Sequence, residues 1–256
     1  MMFSMDTEHS RAAEEFVSRF LDGVSLPSGD DGPCPYLPDQ TACSEGFIVS
    51  ETMDGAVHLA LLDRGFRRSG PVFYRPTCPS CRQCVSLRVP TGTFRRTRSQ
   101  RRVWHKNADV RVEIGQAAVT DEKHELFVRY LESQHDGTMS GARQAFEGFL
   151  YHSPVPGAEV CYYVGNRLVG VSLVDVLPEA LSSVYMFFDL EEGARSLGTF
   201  SVLWEIEHCR SRGVAYYYLG FYVRDAKTMA YKARFGPAEV LTLGGRWVPL
   251  AEAQAD

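Results

Sequence analysis

The amino-acid sequence predicts an α/β protein in two parts: a smaller N-terminal part rich in arginine and cysteine, and a C-terminal mixed sheet with flanking helices. Three observations support this prediction. Residues 159–243 alternate between strand and helix patterns. Residues 64–108 hold eleven arginines and one lysine but no acidic residue. Three of the seven cysteines lie in that same basic segment.

The N-terminal part begins with a predicted helix. Residues 10–22 carry apolar side chains at helical spacing, and Gly23 follows as a stop signal. The stretch 25–38, rich in Pro, Gly and Asp, predicts a loop. The further predicted elements are a short helix or strand over 57–63, strands over 72–74 and 85–89, and a basic helix over 97–107. Together they form the expected N-terminal domain, residues 1–107.

The C-terminal part has more regular patterns. Gly165-Asn166 predicts a hairpin turn between two strands. The predicted elements are helix 120–134, strands 159–164, 167–176 and 182–188, helix 200–212, strand 215–219, helix 225–235 and strand 239–243. The order β-β-β-α-β-α-β is that of an N-acetyltransferase-like (GNAT-like) fold. We therefore expect residues 108–256 to form a GNAT-like domain.

Charge is distributed unevenly along the chain. The protein carries 27 basic and 32 acidic residues, so its net charge is −5, although residues 64–108 are strongly basic. Arginine in place of lysine favours bidentate contact with phosphate. The segment therefore predicts a polyanionic ligand, for which RNA is the candidate. A solvated cationic surface is the alternative.

Composition excludes several classes of protein. No segment reaches the roughly 20 apolar residues of a membrane-spanning helix. Residues 1–8 lack the basic and apolar regions of a secretory signal. An odd number of cysteines argues against a disulfide framework. We therefore expect a cytoplasmic protein with reduced thiols.

The cysteines suggest a metal site. Cys78, Cys81 and Cys84 are spaced Cys-x2-Cys-x2-Cys, and Cys34 is the natural remote fourth ligand. Thiolates two residues apart can converge on zinc or on an iron–sulfur cluster. The alternative is that these thiols are ordinary buried or surface side chains.

The loop before helix 200–212 bears on the cofactor. Coenzyme A-dependent acetyltransferases open the corresponding helix with a glycine-rich turn whose backbone amides hold a pyrophosphate. Gly198 is present here, but Phe200 stands in place of the second glycine. The bulk of Phe200 is expected to block a diphosphate, so the acyl group would arrive on another carrier. The polar turn 135–137 is a further candidate for the site.

Several segments resemble one known family. They are 65–70 (GFRRSG), 74–76 (YRP), the cysteine cluster, 99–103 (SQRRV), 182–185 (SSVY), 197–201 (LGTFS), 216–222 (YYYLGFY) and 229–237 (MAYKARFGP). They resemble the arginyl-tRNA–protein transferases over residues 15–245. With 34–38 (CPYLP) near the start, the short chain is most similar to the bacterial aspartate/glutamate leucyltransferase branch of that family.

The resemblance implies transfer of leucine from leucyl-tRNA to the N-terminal α-amine of proteins that begin with Asp or Glu, which marks them for degradation. An aminoacyl ester is already activated, so the chemistry requires no cofactor. The alternatives are arginine as the transferred residue, a non-catalytic RNA-binding protein, and a coenzyme A-dependent N-acyltransferase.

The expected site residues fall into three groups. The expected catalytic residues are Tyr185, Asp189, Tyr222 and Lys232. A tyrosine would donate to the oxyanion or the leaving 3′-oxygen, the aspartate would hold a substrate ammonium, and the lysine would pair with the acceptor carboxylate or the tRNA terminus. Ser183, Gly198 and Tyr231 are expected to contact substrate. Arg67, Arg68, Arg75, Arg98, Arg101 and Arg102 are expected to hold tRNA phosphates.

Overall fold

The computed structural model describes residues 7–134 and 140–253. Its N-terminal region contains α1 (Thr7–Gly23), β1 (Ser28–Pro33), β2 (Thr41–Ile48), α2 (Gly55–Leu62), β3 (Arg67–Ser69) and β4 (Val72–Pro76). The four strands form an antiparallel sheet in the order β1-β2-β4-β3. Val17 of α1 and Leu61 of α2 bury their side chains against Phe66 and Phe73, which gives this small sheet a core of its own.

The large sheet contains the remaining eight strands. In chain order the elements are β5 (Val85–Pro90), α3 (Arg98–Lys106), β6 (Val110–Gly115), α4 (Asp121–Gln134), α5 (Arg143–Phe146) with a π-helical turn (Glu147–Tyr151), β7 (Gly157–Val164), β8 (Arg167–Val176), β9 (Ala180–Phe188), a 3₁₀ turn (Leu190–Arg195), α6 (Leu197–Ser211), β10 (Tyr216–Tyr222), α7 (Lys227–Ala230) with a 3₁₀ turn (Tyr231–Arg234), β11 (Glu239–Leu241), β12 (Trp247–Pro249) and α8 (Leu250–Ala253). The strand order is β12-β11-β5-β10-β9-β8-β7-β6, and β9 and β10 run parallel.

Helices cover both faces of the large sheet. On one face α6 contributes Leu203 and Ile206 to the main core. On the other face α4 contributes Leu126 and Phe127 to a second core. Because β8 lies between these layers, eight of its ten residues are buried, which explains its nearly continuous apolar sequence. Within the described residues, no helix is both long and apolar enough to cross a bilayer.

The predicted fold class is confirmed: a mixed sheet with flanking helices follows a smaller N-terminal sheet. The predicted loop over 25–38 is wrong in part, because β1 lies within it and pairs with β2. Its Gly- and Asp-rich sequence lacks the usual strand residues. The division at residue 107 stays a prediction, and the structure adds that β5 pairs with β10 and β11 across it. The turn 135–137 lies outside the described residues.

Candidate active site

The large sheet opens between its two parallel strands. β9 and β10 pair only from Tyr216 to Tyr218 and then separate. Each strand carries a bulge at this point: Leu219 is the extra residue of β10 against β5, and Val184 is the extra residue of β9 against β8. Since a bulge bends its strand, the two bulges turn the strands apart. We call the gap between β9 from Ser183 onward and β10 from Leu219 onward the strand fork.

Two cationic side chains occupy the strand fork. The Arg67 guanidinium, from β3 of the small sheet, donates to the Ser183 carbonyl oxygen at 2.6 Å. The Lys232 ammonium, from the 3₁₀ turn after α7, donates to the Phe221 carbonyl oxygen at 2.7 Å. These carbonyls lie where the two strands no longer pair, so cations from two other elements satisfy them.

Gly220 lets the two cations approach the same backbone position. Its φ of +87° lies in the left-handed region that glycine tolerates. A Cβ atom there would lie 3.4 Å from the Lys232 Nζ and 3.6 Å from an Arg67 guanidinium nitrogen. A side chain at residue 220 would therefore strain the backbone and crowd both cations.

Neither cation has a carboxylate partner among the described residues. The side chains are buried, with relative exposures of 9% for Arg67 and 8% for Lys232. Burial, with a smaller effect from Arg67, lowers the pKa of Lys232 to about 7. Burial also lowers the pKa of Arg67. Two adjacent buried cations without a counter-ion are costly, and such sites are typical of anion recognition.

Three tyrosines line the region beside the cations. Tyr185 on β9 packs edge-on against Phe149, with ring centroids 5.2 Å apart, and against Tyr130 of α4 at 6.4 Å. Tyr231 precedes Lys232 and is 36% exposed. Burial, with a smaller effect from Tyr130, raises the pKa of Tyr231 to about 12 and raises the pKa of Tyr185. All three phenols are therefore neutral hydrogen-bond donors at pH 7.

The other expected catalytic residues lie elsewhere. Tyr222 is buried in the main core on the α6 side. Asp189 follows β9, roughly 20 Å along the strand from Ser183 at 3.3 Å per residue. Its carboxylate pairs with Arg167 and accepts the Glu191 backbone N–H at 3.0 Å. It borders a cavity of about 410 Å³ between α4 and the 3₁₀ turn after β9.

The N-terminus of α6 differs from the sequence expectation. A Cβ atom on Gly198 would lie 3.3 Å from the Phe188 ring, so packing explains the missing side chain. Phe200 is buried in the main core against Trp104 and Tyr162. The expectation that its bulk covers a diphosphate position is therefore wrong, because the ring points into the core.

The six arginines expected to hold phosphates divide into two sets. Arg67 lies in the strand fork, the Arg68 guanidinium pairs with Asp175, and Arg75 pairs with Glu45. These three face protein partners. Arg98, Arg101 and Arg102 are exposed on α3, as are Arg95 before it and Lys106 at its end. The exposed set forms a positive surface on α3.

The four candidate metal ligands lie in one region. Burial, with smaller effects from Cys34, Cys78 and Cys81, raises the pKa of Cys84 to about 12. Cys78 instead accepts the Cys43 backbone N–H at 3.4 Å. Within residues 7–134 and 140–253, no group of three or more His, Cys, Asp or Glu is arranged to hold a metal ion. The proposed zinc or iron–sulfur site is therefore unsupported, since a neutral thiol is a poor ligand.

Two features of the site were missed at the level of sequence. Tyr130 looked like one more apolar residue of a helix face, and its position beside Tyr185 depends on how α4 packs. Glu205 looked like an ordinary helix acid, yet it is 1% exposed. Its one signal was position: it is flanked by Trp204 and Ile206 inside the otherwise apolar stretch 202–206.

Comparison with known proteins identifies relatives over most of the chain. The family model for the N terminus of arginine-tRNA-protein transferase matches residues 32–102, and the model for its C terminus matches residues 122–242. An aspartate/glutamate leucyltransferase of Pseudomonas savastanoi pv. phaseolicola is 39% identical over 85% of this chain and 93% of its own. Another, from Chromobacterium violaceum, is 38% identical over 86% of this chain and 91% of its own.

Solved structures give more distant likenesses. FemX is 10% identical over 88% of this chain and 89% of its own, with a TM-score of 0.45. A GCN5-related N-acetyltransferase from Kribbella flavida is 11% identical over 93% of this chain and 91% of its own, with a TM-score of 0.38. A likeness at this level carries no information about activity.

Proposed function

The chain belongs to the arginine-tRNA-protein transferase family, and from that premise we propose that it transfers leucine from leucyl-tRNA to the N-terminal α-amine of proteins that begin with Asp or Glu. It is an aminoacyltransferase. The single observation that carries the acceptor preference is the pair of buried cations, Arg67 and Lys232, in the strand fork. The product, a protein with an N-terminal leucine, would enter degradation.

The acceptor side chain would complete the charge balance of the site. A carboxylate placed between Arg67 and Lys232 supplies the missing counter-ion and raises the lysine pKa again, so the ammonium stays charged in the complex. A peptide that begins with Asn or Gln has the same shape without the charge. It would leave both cations buried and unpaired, which is the larger source of discrimination.

The reaction needs little beyond positioning. The α-amine, with a pKa of about 7.7–8.0, is about one-tenth neutral at pH 7. Its nitrogen attacks the ester carbonyl, the bond to the 3′-oxygen of the tRNA breaks, and that oxygen takes a proton. Tyr185 or Tyr231 would donate to the developing oxyanion, the neutral form of both phenols being favoured by burial. The ester is already activated, so the chemistry calls for no cofactor.

The tRNA would bind the positive surface on α3. Arg98, Arg101 and Arg102 are exposed, and phosphate contacts by arginine supply salt-dependent affinity. The aromatic rings around Tyr185 would accommodate the leucyl side chain, because apolar walls suit leucine better than a guanidinium. We place the protein in the cytoplasm, where aminoacyl-tRNA is available.

A transfer assay tests the proposal. Radiolabelled leucyl-tRNA and arginyl-tRNA are each offered to peptides that begin with Asp, Glu, Asn or Gln and are otherwise identical. We expect leucine on the Asp and Glu peptides only. Transfer of arginine alone would change the donor and keep the reaction. Equal transfer to the Asn and Gln peptides would contradict the role of the two cations.

A further inference from the structure

A buried carboxylate lies beneath the strand fork. Glu205 of α6 is 1% exposed and sits among residues of the main core. Its two oxygens accept from different strands: the Tyr162 hydroxyl of β7 donates at 3.0 Å, and the Tyr217 hydroxyl of β10 donates at 2.5 Å. The described residues provide it with no salt bridge. A buried acid without a cation partner is expensive and calls for an explanation.

A chain of hydroxyls joins this carboxylate to the strand fork. Tyr217 stands next to Tyr218, the last residue of β10 that pairs with β9. Its phenol also hydrogen-bonds the Ser183 side chain, and Ser183 is the first residue of β9 in the fork. Ser183 is only half-buried. The order from the fork inward is therefore Ser183, Tyr217 and Glu205.

The carboxylate is suited to accept a proton. Burial raises its pKa, so its affinity for a proton exceeds that of an ordinary glutamate. It also influences Tyr231 on the other side of the site, where its charge helps raise the pKa of that phenol. The ionisable groups that face Glu205 are Tyr162 from β7, Tyr217 from β10, Tyr231 from the 3₁₀ turn and Cys209 from its own helix.

We propose that Glu205 is a positioning residue that acts through Tyr217 and Ser183 to receive the proton which the acceptor's α-ammonium must lose before it can attack the ester. The inference rests on the proposed function, since it concerns the amine of that reaction. It assigns the base to a group distinct from Lys232, which holds the acceptor carboxylate.

The proton balance of the step is complete. One proton passes from the α-ammonium to the Ser183 hydroxyl, the serine proton passes to Tyr217, and the tyrosine proton passes to a Glu205 oxygen. The neutral amine then forms the amide bond as the ester C–O bond breaks. The second proton lost by the nitrogen is taken by the leaving 3′-oxygen. Glu205 returns its proton to solvent along the same path after the product leaves.

The test compares variants across pH with an Asp-initiated peptide. In Glu205→Gln the side chain keeps its shape but cannot take the proton. We expect transfer at pH 6.5 to fall about 100-fold, the lower end for loss of a general base. The deficit relative to the wild-type enzyme should narrow to less than about tenfold near pH 9, since the amine is then already neutral. Tyr217→Phe, which interrupts the path, should show the same pH pattern.

Tyr162→Phe is the matched control, because it removes a hydroxyl donor to the same carboxylate outside the path. We expect its transfer rate to stay within threefold of wild type. A Glu205→Gln deficit that is equal at every pH, or no deficit at all, would overturn the inference, and Tyr217→Phe decides the matter if Glu205→Gln fails to fold. A wild-type enzyme that transfers no amino acid would contradict the proposed function itself; normal wild-type transfer with unaffected variants contradicts only the relay.

Discussion

Arg67 and Arg68 are neighbours on β3, and both guanidiniums are buried at the junction of the two sheets, yet they meet opposite surroundings. Arg68 pairs with Asp175 of β8, with its Nε donating to a carboxylate oxygen at 2.9 Å. Arg67 meets only the carbonyl oxygen of Ser183 as a printed partner and lies beside a second cation, Lys232. The comparison separates a charge buried for structure from a charge buried to bind a ligand.

The paired arginine belongs to a closed electrostatic group. Asp175 is 1% exposed, and the Nδ1 atom of His58 lies 3.7 Å from its second oxygen. His58 comes from α2, so the group joins the small sheet, its helix and the large sheet. The unpaired arginine, by contrast, faces the strand fork, where the counter-ion would be the acceptor carboxylate. Four experiments can break or sharpen this contrast.

Substitution Arg68→Met should have the largest effect. It leaves the Asp175 carboxylate buried without its main partner, which costs about 3–5 kcal/mol of unfolding free energy. Urea denaturation measures that loss. The double variant Arg68→Met with Asp175→Met removes both charges and should recover most of the stability. A single variant as stable as wild type would show that the pair does not hold the sheets together.

Acid should destabilise the protein through His58. Burial is the main reason that the pKa of His58 is lowered to about 4. The folded protein therefore keeps this ring neutral, whereas the unfolded chain binds a proton below pH 6.5. Its contribution is fully present above pH 6.5 and is lost as pH falls toward 4, by up to about 3 kcal/mol.

The control for that experiment is His58→Leu, which removes the titrating ring and fills similar space against Phe73. Denaturation midpoints of both proteins are measured from pH 7 to pH 4. We expect the wild-type protein to lose about 3 kcal/mol more than the variant over this range. Parallel pH curves would mean that the histidine titrates normally in the folded protein.

Substitution Arg67→Met should act on activity instead of stability. Removal of an unpaired buried cation leaves no carboxylate behind, so the unfolding free energy should stay equal or rise slightly. Transfer to an Asp peptide should fall about 100-fold, equivalent to about 2.7 kcal/mol. A comparable loss on the slow Asn peptide would instead indicate a general defect in the site.

Lys232→Arg sharpens the same point through pH. The wild-type lysine loses its charge as pH rises through about 7, so KM for the Asp peptide should rise above that pH. Arginine stays charged across the range, and the variant's KM should be nearly flat. A KM that rises equally in both proteins would assign the pH effect to another group.

The sequence predicted much of the fold and part of the site. β8 and the hairpin turn at 165–166 followed from strong local patterns, whereas β1 did not, because its glycines and aspartates become a strand only by pairing with β2. Lys232 was expected in the site on the strength of the family resemblance. Nothing local distinguishes Arg67 from Arg68: alternation places them on opposite sides of β3. Which side meets Asp175 depends on how the two sheets pack.

The smallest expected effect concerns the positive surface on α3. The triple variant Arg98→Gln, Arg101→Gln, Arg102→Gln should raise KM for leucyl-tRNA about tenfold near physiological salt and leave kcat nearly unchanged. The slope of log KM against log salt should also fall by about 2–3, because each lost phosphate contact removes roughly 0.7–0.9 of it. Arg11→Gln, Arg19→Gln, Arg143→Gln, three exposed arginines on other helices, is the charge-matched control. An equal shift in the control would mean that tRNA senses only net charge, and no shift in either would move the tRNA site away from α3. Since α3 packs on α6 through Trp104 and Phe200, a specific effect would connect the phosphate-binding helix to the layer that carries Glu205.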